Sequence, residues 1–292
     1  MYQPAILSGM KNKTPLTTQI LCLVILIWPL RVMAATDGAS LASDWVKGPH
    51  TRARLVAMPW DGRSKLRLGI QLELEPGWKT YWRNPGDAGI PPKFNWEGSS
   101  NIKAPHLLWP APERMADDFG VSIGYKHGAV LPVNIEPARG GQPVKLSLDV
   151  SYGVCADVCI PVTSRLRLEL RPGATGGGPH DALITKWRGR VPVKTANSGL
   201  DIASVKPVTR NGKTGFEVTL SGKGELQNPA VFVEGPGDYY FSVPKLVSHN
   251  KDKAVYRFEV DDLETVDQLR GKKLTFTLKD QNRAAERVWV LK

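Results

Sequence analysis

In the run Val144-Lys-Leu-Ser-Leu-Asp-Val-Ser-Tyr152 every second residue is apolar or aromatic, and further on Leu166, Leu168 and Leu170 alternate with Arg165, Arg167 and Glu169. A repeat of two puts all the apolar side chains on one face of an extended strand, so each run must lay that face on a second layer to escape water. Similar runs occur at Lys65–Leu74, Val130–Ile135, Gly215–Leu220, Ala230–Val233, Tyr239–Val243, Ala254–Val260, Leu274–Leu278 and Val288–Leu291. Short strands separated by Gly, Pro and Asn turns predict antiparallel sandwiches rather than βαβ units, and hence an all-β chain.

The chain opens with an apolar run, Ile20–Leu30, preceded by Lys11 and Lys13 and followed by Val32-Met-Ala34-Ala35. This pattern reads as a secretory signal peptide over residues 1–34, cleaved near Ala34. The run is shorter than the ~20 residues a spanning helix needs, and no later segment is apolar for that length. Export predicts a periplasmic location, where disulfides are permitted. About 260 residues remain after cleavage, enough for two ordinary domains. Glycine and proline crowd together in Arg171-Pro-Gly-Ala-Thr-Gly-Gly-Gly-Pro179, just before a short helical stretch at Asp181–Arg188. The expected division is therefore a first domain over 35–172, a linker with a short helix over 173–198, and a second, smaller β-sandwich over 199–292. The formal net charge is +11, and Lys11, Lys13 and Arg31 of the leader account for three of those charges. The remaining Lys and Arg are scattered rather than clustered with aromatics, which argues against nucleic acid as a partner.

Only two cysteines lie beyond the leader, which takes Cys22 with it. They stand three residues apart in Tyr152-Gly-Val-Cys-Ala-Asp-Val-Cys-Ile-Pro161, between two of the alternating runs, where a hairpin brings them within bonding reach. As a staple such a bond is weak. Closing a loop of ~5 residues restrains the unfolded chain by about 2 kcal/mol, against about 4.7 for a loop of 100. Two neighbouring thiols on an accessible edge also meet the requirements of thiol–disulfide exchange, in which one attacks and the other resolves the mixed disulfide. The residues alone leave a redox pair and a structural brace in balance, with copper(I) binding as a third reading. For a metal the supporting ligands are thin: His50, His106, His127, His180 and His249 are isolated, and no metal site or cofactor is expected. No Ser-His-Asp order, phosphate-binding glycine loop or paired-carboxylate motif stands out.

Three segments, in order and spacing, resemble the N-terminal periplasmic domain of the DsbD thiol:disulfide interchange family, and in particular its ScsB-like branch associated with copper stress. They are Gly77-Trp-Lys-Thr-Tyr-Trp-Arg-Asn-Pro-Gly-Asp-Ala-Gly-Ile-Pro-Pro92, Asp117-Asp-Phe-Gly120 with Leu131-Pro-Val-Asn-Ile135, and Tyr152 to Pro161. The resemblance spans Asp44 to Pro172 and weakens through the second β domain. It implies an immunoglobulin-like sandwich whose Cys155 and Cys159 carry reducing equivalents from a membrane-embedded DsbD- or CcdA-like donor to thioredoxin-like or disulfide-bonded periplasmic proteins. It also implies a cap loop that lays an aromatic ring over the cysteines. The matching ring is Phe119, with Asp117 and Asp118 before it. Acids beside thiols disfavour thiolate, so whichever of Asp117, Asp118 or Asp157 lies beside the pair is expected to raise the cysteine pKa values, the others being solvated loop residues, with Tyr152 packed against the pair or filling the hairpin face.

The chain departs from the best-known members in having only three residues between its cysteines, as the ScsB-like branch does. It also carries neither the polytopic membrane domain nor the thioredoxin-like domain that usually follow, so electrons are expected from a separate membrane protein. Trp78, Tyr81, Trp82 and Trp96 are expected to pack core or support a loop. The turns Asn84-Pro-Gly-Asp87 and Gly89-Ile-Pro-Pro92 should hold that loop rigid, with Arg83 and Asp87 as candidates for a local ion pair. The second domain has no cysteine and no catalytic constellation, so a scaffold or docking role is expected, with Tyr239, Tyr240 and Trp289 in its core.

Overall fold

A computed structural model describes residues 40–117, 120–194, 198–261, 263 and 265–292. The expected leader, with Cys22, and the expected cap positions Asp118 and Phe119 lie outside the described residues. In chain order the first part supplies β1 (Val46–Gly48), β2 (Thr51–Ala57), β3 (Leu66–Leu74), β4 (Lys79–Gly86), β5 (Lys93–Asn95), β6 (His106–Leu107), β7 (Glu113–Asp117), β8 (Gly120–Lys126), β9 (Gly128–Ile135), β10 (Val144–Cys155) and β11 (Cys159–Leu170). These form two antiparallel sheets, one ordered β1-β2-β3-β9-β6 and the other β11-β10-β4-β8-β7 with β5 added beside β10. The chain is nearly all β, with an immunoglobulin-like first unit.

The alternating runs do what their period requires. In β11 Leu166, Leu168 and Leu170 are buried while Arg165, Arg167 and Glu169 are exposed. They meet Leu55, Leu68, Ile70, Leu131 and Val133 from the facing sheet in one apolar core. Each such side chain contributes about 1.5–3 kcal/mol when withdrawn from water, which together offsets the entropy of ordering the strands.

Helix α1 (Asp181–Arg188) sits where the sequence placed it. Asp181 accepts the Gly178 amide at its start, and Lys186 and Arg188 lie in its last turn, which suits the helix dipole at both ends. It is docked rather than suspended in a linker: Ile184 is fully buried and the Trp187 ring meets Tyr125 edge-on at 5.9 Å.

Beyond it come β12 (Val193–Lys194), β13 (Leu200–Arg210), β14 (Lys213–Gly222), β15 (Pro229–Glu234), β16 (Lys245–Asn250), β17 (Lys253–Glu259), β18 (Lys273–Asp280) and β19 (Arg283–Val290). They build two four-stranded sheets, β12-β19-β18-β15 and β13-β14-β17-β16, around a second core of Phe216, Val218, Leu220, Phe258, Phe276 and Leu278. Only the β12–β19 pair is parallel among the described strands.

The expected strand at Tyr239–Val243 is not formed. The segment turns, with the Tyr239 amide bonded to the Pro236 carbonyl, and touches the sheet by a single bridge from Phe241 to Val260. Its alternation serves two cores instead of one sheet face: Phe241 enters the second core and Val243 the first. Phe232 of β15 likewise packs into the first core, 5.9 Å from Trp82. Residues 39–292 accordingly make one compact body.

Candidate functional site

Strands β10 and β11 pair without interruption from Val144 opposite Leu170 to Cys155 opposite Cys159. The last pair of the ladder is the cysteine pair itself, with its Cα atoms 4.2 Å apart and its sulfurs joined in a disulfide. Only Ala156, Asp157 and Val158 close the hairpin. The two sulfur-bearing residues differ in access: Cys155 is fully buried, whereas Cys159 is exposed and its neighbour Val158 is 60% exposed. Cys159 is therefore the solvent-facing end of the pair.

Strand β4 lies along the other side of β10, pairing Thr80 with Val154 and Lys79 with Cys155, and the Thr80 hydroxyl donates to the Gly153 carbonyl. This register delivers Tyr81 to the disulfide, its hydroxyl 3.3 Å from the Cys159 sulfur. A disulfide sulfur carries no hydrogen, so the phenol is the donor. Burial, and secondarily the charge of Asp117, push the Tyr81 phenol up to about 12, which keeps it protonated and able to donate.

Two glycines of the sequence motifs make room for that ring. A Cβ at Gly89 would stand 2.5 Å from the Tyr81 ring and one at Gly153 would stand 3.1 Å from it, so the ring is held between two backbones that only glycine lets come so close. The Gly89-Ile-Pro-Pro92 turn thus supports the site, with Ile90 lying against Gly153.

Asp117 ends β7 opposite Gly120, which begins β8. Its carboxylate is engaged by the Lys79 ammonium, which also donates to the buried Ser122 hydroxyl at 2.9 Å. The negative charge expected beside the thiols is matched by a lysine, and its field acts on Tyr81. Asp157 is exposed at the hairpin tip. Of the two places expected for Tyr152, it takes the hairpin face: it lies in the sandwich core, its hydroxyl 3.2 Å from Thr51 Oγ1. Cys155 is three positions further along the strand, an odd offset, so a regular strand aims the two side chains to opposite faces.

Tyr81 was read from sequence as part of an aromatic stripe; Trp78, Trp82 and Trp96 do pack against the first core. What singles out Tyr81 is register with β10, which the sequence does not display. The local pair of Arg83 and Asp87 is also corrected. Arg83 bonds Glu234 at 2.7 Å and Glu286 at 2.9 Å, while Asp87 accepts from the Tyr240 hydroxyl, which is thereby on the surface of the second sandwich and not in its core. Tyr239 and Trp289 pack on that core as expected. Among the described residues no group of three or more His, Cys, Asp or Glu side chains is placed to hold a metal ion, and no helix is long and apolar enough to cross a membrane.

An antiparallel sandwich with a disulfide, solvent-facing at Cys159, at the end of its longest hairpin defines the class of protein. Residues 50–170, which include both cysteines, match the family described as thiol:disulfide interchange protein DsbD, N-terminal, and residues 190–292 match a domain of unknown function. The first β unit of this chain is thus similar to the DsbD N-terminal family over the span that holds both cysteines. Among solved structures the fold is similar to the N-terminal periplasmic domain of ScsB from Proteus mirabilis, with a TM-score of 0.70 and 22% identity over 87% of this chain and 99% of that one. A comparison with functionally curated protein sequences found no match.

Proposed function

We propose that this protein is an exported thiol–disulfide exchange protein that passes reducing equivalents between a membrane-embedded reductase and oxidised periplasmic proteins through Cys155 and Cys159. The observation that carries this reading is the asymmetry of the bond, with one sulfur on an exposed residue beneath a phenol and the other on a buried one. In the loading half-reaction a donor thiolate attacks Cys159 Sγ, and Cys155 leaves as a thiolate that takes up a proton. The donor's second thiol then attacks its own mixed-disulfide sulfur and releases Cys159 as a thiolate, so that two electrons enter this chain and the donor ends as a disulfide. In the unloading half-reaction the Cys159 thiolate attacks an oxidised target. Cys155 then attacks Cys159 Sγ, which restores the intramolecular bond and frees the reduced target. Tyr81 stabilises the Cys159 thiolate in both halves by donating its hydrogen bond, an interaction that is stronger to a charged sulfur than to a neutral one. Residues 1–34 are removed on export, an assignment that rests on their basic, apolar and small-residue pattern, and the resemblance assigns Phe119 the shielding of the pair until a partner docks.

The test is covalent trapping. With Cys155→Ala the mixed disulfide formed through Cys159 has no resolving thiol, so partner adducts accumulate on a non-reducing gel; Cys159→Ala yields few, because the remaining thiol is buried. Absence of adducts from both variants in a periplasmic extract, together with a disulfide that dithiothreitol cannot open in the folded state, refutes the proposal and leaves a permanent brace.

A further inference from the structure

Strand β4 is held by its sheet neighbours at its two ends and not between them. It pairs with β10 at Lys79 and Thr80 and with β8 as far as Tyr81, after which the register breaks and pairing resumes only at Gly86. Residues 82–85 therefore run on without a ladder immediately after the side chain that touches Cys159. The second sandwich holds this stretch. The Arg83 guanidinium is gripped by Glu234 of β15, through both carboxylate oxygens, and by Glu286 of β19. The Asn84 amide donates to the Val233 carbonyl at 3.0 Å, and the buried Trp82 ring packs on Phe232. Burial works against the charge of Arg83, but the two carboxylates more than offset it and the guanidinium is bound more tightly to its proton than usual. Glu234 and Glu286 stand on the two strands that flank β18, opposite Thr275 and Thr277, so one face of one sheet presents both acids to a single cation.

We infer that the second sandwich is the alignment element of the redox site: by clamping Arg83 it fixes where β4 presents the Tyr81 hydroxyl to Cys159, and so sets how readily Cys159 becomes a thiolate. This deepens the exchange reading and rests on it. Arg83 is a positioning residue that acts through Tyr81, since its own side chain points into the second sandwich. A planar fork shared by two carboxylates suits the task, because it fixes orientation as well as distance, which a lysine ammonium does not.

The experiment uses the full-length exported chain, reduced, and follows alkylation of Cys159 by iodoacetamide against pH in a Cys155→Ala background. Tyr81→Phe is expected to raise the apparent thiolate pKa by about one unit, and so slow alkylation at pH 7 about tenfold, the effect of losing one hydrogen bond to a charged sulfur. Arg83→Lys, and separately Glu234→Gln with Glu286→Gln, are expected to produce most of that shift while near-ultraviolet circular dichroism stays native. Added to Tyr81→Phe, they are expected to change nothing further, because the group they act through is gone. Folded clamp variants with the wild-type pH profile overturn the inference, as do shifts that add to that of Tyr81→Phe. An unchanged profile in Tyr81→Phe overturns it as well, and none of these results bears on the trapping experiment by which the exchange reading stands or falls.

Discussion

Opening the Cys155–Cys159 bond should leave the protein folded, and the expected loss of stability can be worked from the hairpin. The bond closes a loop of five residues, 155 to 159, at the end of a ladder that already pairs every residue from Val144 to Cys155 with a partner on β11. A loop of that size is worth about 2 kcal/mol to the folded state through the entropy it removes from the unfolded chain. For a body of ~250 residues each kcal/mol moves the midpoint by about 2–4 °C, so reduction should lower Tm by about 4–8 °C. The same quantity appears in the redox equilibrium. A bond that stabilises the fold by about 2 kcal/mol is itself favoured by the fold to that extent, so its potential should lie about 45 mV below that of the same pair in the unfolded chain. A shift that small keeps the bond within reach of a dithiol partner. Thermal melts of the oxidised and dithiothreitol-reduced protein measure the first figure, and equilibration with glutathione in buffer and in concentrated urea measures the second. A fall in Tm beyond about 15 °C, or loss of native near-ultraviolet signal on reduction at 25 °C, would show that the bond is a staple and that the loop argument fails.

Phe232→Ala should cost about 3–5 kcal/mol in urea unfolding although the residue belongs to the second sandwich, because its ring is 1% exposed and fills the first core beside Trp82; a cost below about 1 kcal/mol would show that the two cores do not share it. The Tyr81 phenol should titrate near 12 by absorbance at 295 nm, as the difference between wild type and Tyr81→Phe. An unfolded tyrosine gives up its proton near pH 10, so the unfolded state binds fewer protons above that pH, and this group should make stability fall as pH rises beyond 10; a phenol titrating near 10 in the folded protein contradicts its burial. Gly153→Ala should leave the chain folded but slow its exchange with a dithiol partner, since the new methyl meets the Tyr81 ring at 3.1 Å and the Ile90 Cβ at 2.8 Å and must displace one of them; undiminished exchange would place the functional hydrogen bond elsewhere.

The parts of this protein that obey a short repeat were legible before any coordinates. Alternation predicted β10, β11, β14, β17 and β18 and their buried faces, and the glycine–proline cluster marked the approach to α1. The cysteine spacing placed both sulfurs at one hairpin end. The same rule misled at Tyr239–Val243, where alternation is present but Phe241 and Val243, of the same alternating set, enter different cores. Strand parity decides between the two places open to Tyr152, since it shares a core face with Val150 and Val154.

The amino-acid sequence alone determined the all-β class, the hairpin and its cysteine pair, because each follows from side chains within a few residues of one another on a backbone of fixed period. Only the tertiary structure decided that Tyr81 meets Cys159 across 78 positions, that Arg83 meets Glu234 and Glu286 across 151 and 203, and that Phe232 completes a core belonging to the other sandwich. Such contacts depend on the register between strands and on how two sheets pack, and an isolated tyrosine, arginine or phenylalanine carries no periodic signal of the partner that burial will give it.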